Sequence, residues 1–412
     1  MRRLVRSRLL LFFAVVGPVI ITAAADNDAG GITTFSVAGA RYGYDLLWVL
    51  VLTTFLLAIV QEMCARMGVV TQKGLAELIR ENFGVKWTMF ALGVLLAANL
   101  ATTVSEFAGL AASLGIFGIS KYITLPIAGA VIWLLVVKGS FRVVERVFLA
   151  FTVIYATYII SGFMARPDWS QVISAAVTPT LRMDPFYLFL VIGMIGTMVT
   201  PWMQFLLQAT IVDKGARLEH YGYQKWDVHI GSFLTNLVAF FIVTAVAATA
   251  HKAGITQITD ASEAAVALRP VAGNYATVLF ALGLFNASLL GAAVVPLSTA
   301  YTYSEAFGWE IGVSRKLREA PIFYGIYSFC ILFGIVVVLM PRVNLVDAMV
   351  RAQMIQGVLL PVILIFMLKL INRKDVMGSH TNSPIYNIFI WAVVVLLIVM
   401  TVGTLVGVVL GY

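Results

Sequence analysis

Apolar residues run through this chain in long blocks, at about Leu9 to Tyr44, Asp45 to Arg66, Trp87 to Phe117, Ile123 to Val137, Val143 to Met164, Pro185 to Val212, Trp226 to Thr249, Val271 to Phe307, Pro321 to Met340, Leu345 to Leu370 and Pro384 to Leu410. Polar loops separate most of them. A helix needs about 20 apolar residues to cross a bilayer, and runs of this length require no test of periodicity. The pattern predicts an all-α polytopic membrane protein with eleven transmembrane helices.

Two of these runs are interrupted from within. In the first, Asp26-Asn27-Asp28-Ala29-Gly30-Gly31 stands between an apolar stretch from Leu9 to Ala25 and another from Ile32 to Ala40. Intramembrane acids are costly, and they commonly line an ion pathway or a water-filled cavity. Glycines beside them predict an unwound helix with freed carbonyls and an exposed half-helix N-terminus. The plainer alternative is a helix end at the interface with solvated acids; the run is long enough to cross with a break and too long for one span. The second interruption is Gly193-Met194-Ile195-Gly196-Thr197-Met198-Val199-Thr200-Pro201-Trp202 in span six. A proline there removes a backbone donor and clashes with the preceding turn, which predicts a break at about Thr197 to Pro201. Broken spans one and six lie five apart, the offset of a five-plus-five inverted repeat with substrate at the interface of the broken helices. The expected organisation is one transmembrane transporter domain over residues 1–412, with repeat one at 9–164, repeat two at 184–371 and an extra helix at 384–410.

Composition agrees with the pattern, since 61% of residues are hydrophobic and only 12% charged, against roughly 25% charged in soluble proteins. The net charge of +8 comes from basic residues spread over many loops, so it marks topology and not a nucleic-acid surface. With the even loops placed inside, 20 of the 28 Lys and Arg are cytoplasmic, which predicts an N-terminus inside and a C-terminus outside. The basic head Arg2-Arg3 to Arg8 could belong to a signal peptide, but the apolar run behind it is longer than a signal-peptide core and the polar patch follows at once. Cys64 and Cys330 sit in apolar runs without a CxxC pair, as buried inert thiols. No Gly-Lys-Ser/Thr loop, HExxH or GxSxG is present, so an enzyme is not expected.

Gly17-Pro18, Asp28-Ala29-Gly30-Gly31, Arg41-Tyr42-Gly43-Tyr44 with Leu47-Trp48, Ala65-Arg66-Met67-Gly68-Val69-Val70-Thr71 and Leu75-Ala76-Glu77 together resemble the NRAMP family of divalent-metal transporters. The resemblance implies a LeuT-type fold with a metal ion between the unwound parts of spans one and six. In the family's first-span motif, Asp-Pro-Gly-Asn, the Asp and Asn bind metal; here Asp28 keeps the first position and Gly31 replaces the Asn. In the sixth-span motif, Ala-x-x-Met-Pro-His, this chain has Thr197, Thr200, Pro201 and Trp202. The soft thioether is gone. Hydroxyl, carboxylate and carbonyl oxygens suit hard Mg2+, which keeps several waters, and the smaller Gly31 leaves room for a partly hydrated ion.

Gln353 matches a span-ten glutamine that joins the metal in one conformation of the family; a helix–helix hydrogen bond is the other reading. Asp26 and Asn27 either hold water around the ion or cap the half-helix that follows. The candidate ion-site set is Ala25, Asn27, Asp28 and Gly31 from span one, Thr197 and Thr200 from span six, and Gln353 from span ten. Asn99, Asn236 and Asn286 read as packing hydrogen bonds.

The family's proton relay is depleted. Trp202 and Leu207 replace its sixth-span histidines, and its third-span Asp-x-x-Glu pair becomes Thr103-Val104-Ser105-Glu106. His220, His229, His251 and His380 all fall outside mid-span positions. The combination resembles the NRAMP-related magnesium transporters, which carry Mg2+ and Mn2+ without protons. The expected function is alternating-access transport of Mg2+ and Mn2+ across the plasma (inner) membrane, with the ion as substrate, the lipid bilayer as surroundings, and no cofactor, nucleic acid or obligate protein partner. The competing readings are a proton-coupled Mn2+/Fe2+ importer, a sodium-coupled organic-solute symporter of the same fold, and a metal sensor that binds without flux.

Overall fold

The computed structural model describes residues 27–138, 153–182, 184–265, 269, 273–311 and 315–409. All regular structure among them is helical. The main helices are α1 (Ala29–Tyr42), α2 (Leu47–Thr71), α3 (Leu75–Gly115), α4 (Lys121–Lys138), α5 (Val153–Met164), α6 (Trp169–Val177), α7 (Pro185–Met198), α8 (Pro201–Asp213), α9 (Tyr221–Val246), α10 (Ala276–Phe307), α11 (Pro321–Leu339), α12 (Leu345–Ile371) and α13 (Pro384–Val409).

Nine segments among the described residues are long and apolar enough to cross a membrane, with α7 and α8 together forming one. Of the eleven expected spans, the first and fifth are represented by α1 and α5; their earlier parts, including Ala25 and Asp26, lie outside the described residues. Helix α3 begins twelve residues before the expected third span, because Leu75–Phe83 forms a lead-in helix joined at Gly84, whose φ of +78° few other residues adopt. Loop helix α6 was not marked by hydropathy; Asp168 starts it by accepting from the Ser170 and Gln171 amides.

Span six breaks where the proline predicts. Helix α7 closes at Val199, whose N–H donates to the Ile195 carbonyl at 2.9 Å. Pro201 occupies the first position of α8, where no N–H is needed, and holds Thr200 extended at φ −65° and ψ 133°.

Helix α3 packs most extensively against α10 and α12, while α12 also lies along α7 and α1. Small residues permit the closest approaches. A Cβ on Gly357 would fall 2.1 Å from the Ile192 carbonyl oxygen, and one on Gly196 would fall 2.3 Å from the Gly357 nitrogen, so α7 and α12 meet backbone to backbone. Exposed Phe329, Leu332 and Val336 on α11 and Ile388, Val395 and Val399 on α13 give the exterior an apolar character. The asparagines behave as packing groups where they bond: Asn99 donates to Thr299 at 2.8 Å, and Asn236 accepts from Thr53 at 2.8 Å. Both cysteines are free and buried.

Candidate ion site

The start of α1 puts a carboxylate at a helix N-terminus deep inside the bundle. Asp28 is 2% exposed and is the N-cap of α1, with its Oδ1 accepting from the Gly31 amide at 2.5 Å. The cap is thus Asp28 itself and not Asn27, while Asp26 lies outside the described residues. Helix amides favour negative charge at this position. From α12, 325 residues away, the Gln353 Nε2 lies 3.1 Å from each Asp28 carboxylate oxygen. Gln353 is itself held by Gln356, whose Nε2 donates to the Gln353 Oε1 at 2.6 Å.

Thr197 arrives from the end of α7. Its hydroxyl would lie 2.9 Å from a Cβ on Gly31, and the Asp28 Oδ1 would lie 3.1 Å from that Cβ. The space expected beside Gly31 for water therefore holds the Thr197 hydroxyl. Gly30 has a separate steric reason: a Cβ there would fall 1.9 Å from the Gln353 Nε2 and 2.6 Å from the Ser105 Oγ. Helix α3 adds Glu106, whose carboxyl sits alongside Asp28 and the Ala29 amide without closing a hydrogen bond of ordinary geometry. It packs against Gly291 of α10.

Asp28, Gly31, Thr197 and Gln353 are brought together. Thr200 is buried at the neighbouring break, where its carbonyl accepts from Gln204 at 3.3 Å and its hydroxyl makes no hydrogen bond. Asn27 reaches α9, with its Nδ2 3.4 Å from the Thr235 carbonyl. Ala25 lies outside the described residues. Ser105 and Gln356 complete the surroundings without having been singled out by sequence. The signal for Gln356 was present, since residues three apart share a helix face.

The site is rich in oxygen with unused bonding capacity. The hydroxyls of Ser105, Thr197 and Thr200, both Glu106 oxygens and the Gln356 Oε1 are buried without hydrogen-bond partners. Neither Asp28 nor Glu106 forms an ion pair among the described residues, whereas the buried Glu62 on α2 is matched by Arg66 at 3.1 Å. Buried acids left in this condition call for a proton or a cation. No group of three or more His, Cys, Asp and Glu assembles among the described residues, so an ion here would be met by carboxylate, hydroxyl and amide oxygens. The thioethers of Met203 and Met349 are engaged elsewhere, by Gln61 at 3.1 Å and Thr33 at 3.4 Å.

The family model described as natural resistance-associated macrophage protein-like matches residues 19–407. Among solved structures, the Eremococcus coleocola manganese transporter, in complex with an aromatic bis-isothiourea substituted compound, is similar at 21% identity and a TM-score of 0.76; the match covers 96% of this chain and 86% of that one. Mhp1, a nucleobase-cation-symport-1 family transporter in a closed conformation with bromovinylhydantoin bound, matches at 12% identity and a TM-score of 0.61, over 95% of this chain and 91% of that one. MhsT in complex with L-phenylalanine matches at 14% identity and a TM-score of 0.58, over 95% and 98%. At these identities the likeness shows the fold, which is the LeuT-type helical transporter fold.

Proposed function

Because the chain belongs to the NRAMP family, whose members are integral membrane transporters and not enzymes, we propose that it carries Mg2+, and Mn2+ beside it, by alternating access without moving protons. The observation that carries this reading is the Asp28 carboxylate, buried without a basic partner and faced by Thr197, Gln353 and Glu106. A hard cation that retains part of its water suits such a set, because the orphaned hydroxyls of Ser105, Thr197 and Thr200 can bind its hydration shell. The manganese transported by the Eremococcus coleocola protein supports Mn2+ as a second substrate. The proposed orientation has the N-terminus in the cytoplasm and the C-terminus outside the plasma membrane. The domain is read as the two repeats at 9–164 and 184–371 followed by the extra helix.

Asp28 is the charged anchor, and Thr197 and Thr200 offer oxygen directly or through water. Gln353 joins when its oxygen faces the ion. Trp202 and Leu207 stand where imidazoles would move protons, and neither side chain titrates near neutral pH. One observation favours a second reading, a proton-coupled Mn2+/Fe2+ importer: the Glu106 carboxyl lies beside Asp28 without an ion pair. Uptake into proteoliposomes tests the site. Asp28→Ala is expected to abolish Mg2+ and Mn2+ flux in protein that remains monodisperse, and full flux in that variant would remove Asp28 as the anchor.

A further inference from the structure

Gln353 and Gln356 form a chain of two buried amides leading away from Asp28. Its direction follows from donor and acceptor chemistry. An ionised carboxylate only accepts, so Gln353 presents its NH2 to Asp28. The Gln353 carbonyl then faces Gln356, which answers with its own NH2 at 2.6 Å. The orphan created by this ordering appears at the far end, where the Gln356 Oε1 is buried without a partner.

A cation on Asp28 reverses the requirement at the near end. It repels the amide N–H and attracts the amide oxygen, so Gln353 must turn its Oε1 inward before it can contribute to coordination. The terminal torsion of glutamine is soft and permits this rotation. The backbone does not offer an alternative, because α12 is locked against α7 at Gly357, where even a Cβ would fall 2.1 Å from the Ile192 carbonyl. Once Gln353 turns, its NH2 points at Gln356 and needs an acceptor. The unused Gln356 Oε1 supplies one when that amide turns in concert.

Resting on the reading that Asp28 and Gln353 hold the ion, we propose that Gln356 is a positioning residue for coordination. It orients the Gln353 amide and, by reversing its own, stabilises the Gln353 oxygen on the Mg2+ or Mn2+ side. Gln356 does not touch the ion. Its contribution passes entirely through Gln353, and this separates it from a residue that merely fills the core.

A double-mutant cycle reads this dependence directly. Mg2+ and Mn2+ binding to the purified full-length protein is measured by isothermal titration for wild type, Gln356→Met, Gln353→Met and the double variant, with thermal unfolding recorded for each. Loss of one hydrogen bond supporting a charged site is expected to weaken binding about tenfold in Gln356→Met. In the Gln353→Met background the same change is expected to have no effect on binding. An equal loss in both backgrounds, or no loss in the wild-type background, overturns the role of Gln356. If Gln356→Met does not fold, Gln356→Glu takes its place in the cycle: an effect of either sign must disappear in the Gln353→Met background, and its persistence overturns the proposal. Absence of Mg2+ and Mn2+ binding by the wild type would instead overturn the ion-site reading itself, and Gln356 with it.

Discussion

Gly357→Ala is expected to cut divalent-ion flux by about a hundredfold while leaving a folded protein in the membrane. The added Cβ would fall 2.1 Å from the Ile192 oxygen, 2.7 Å from its Cγ2 and 2.8 Å from its carbonyl carbon. The opposing face is equally full, since the Gly196 Cβ position lies 2.6 Å from both the Gln353 carbonyl oxygen and the Gly357 Cα. The principal obstacle is backbone, which cannot swing aside as a long side chain can. Restoring ordinary contact requires α7 and α12 to separate by about 1 Å or more. Overpacking of this kind costs about 1–3 kcal/mol, which a large helical bundle survives. The site does not survive it equally well. Gln353 lies one turn from Gly357, and Thr197 adjoins Gly196, so the separation moves both away from Asp28. A Gln353–Asp28 contact of 3.1 Å then leaves hydrogen-bond range. The assay is Mn2+ and Mg2+ influx into proteoliposomes, normalised to monodisperse protein. Gly325→Ala on α11 is the control, because nothing lies within 4 Å of its added Cβ. Flux in Gly357→Ala within twofold of wild type would refute the reasoning, since the backbone contact would then not be setting the site.

Three further outcomes are expected. Gly31→Asn alone should abolish binding, because its Cβ would lie 2.9 Å from the Thr197 hydroxyl and the rest of the side chain would extend into it; Gly31→Asn with Thr197→Ala should recover Mn2+ binding, as isothermal titration would register. Thr200→Met should shift the flux ratio toward Mn2+ by placing a thioether at the break, and an unchanged ratio in competition uptake would remove Thr200 from the selectivity argument. Arg66→Ala should lower stability by about 3–5 kcal/mol by leaving Glu62 buried and unpaired. Glu62→Gln in the same background should restore part of the loss in thermal unfolding. Arg66 also holds the Thr381 carbonyl at 3.0 Å and the Asn382 side chain, so the connection between α12 and α13 should loosen in Arg66→Ala.

The local parts of the site were legible in the sequence because the physics that makes them is local. Pro201 lacks an N–H and forces Thr200 out of helix, so the break in span six follows from one residue. The helix N-terminus beside Asp28 was signalled in the same local way, but the cap was sought at Asp26 and Asn27, and Gly30 and Gly31, expected to be unwound, lie within α1. What sequence could not supply is convergence. Gln353 reaches Asp28 across 325 positions, and the direction of its amide depends on Gln356 behind it. Asn27 looks as suitable a ligand as its neighbour in a linear reading. In the structure its Nδ2 lies 3.4 Å from the Thr235 carbonyl of α9. Gly31 suggested open space, yet the Thr197 hydroxyl projects into that space. The lead-in helix Leu75–Phe83 was missed for a different reason: it is too short and too charged for a hydropathy signal, and its junction depends on the backbone angle of Gly84.

The measurement that bears most directly on the central claim is Mg2+ uptake by wild-type proteoliposomes loaded with a pH-sensitive dye, with Mn2+ run in parallel. The expected result is Mg2+ and Mn2+ flux with no acidification of the lumen. Mn2+ flux accompanied by proton entry, with no Mg2+ flux, would contradict the account and turn attention to Glu106 beside Asp28.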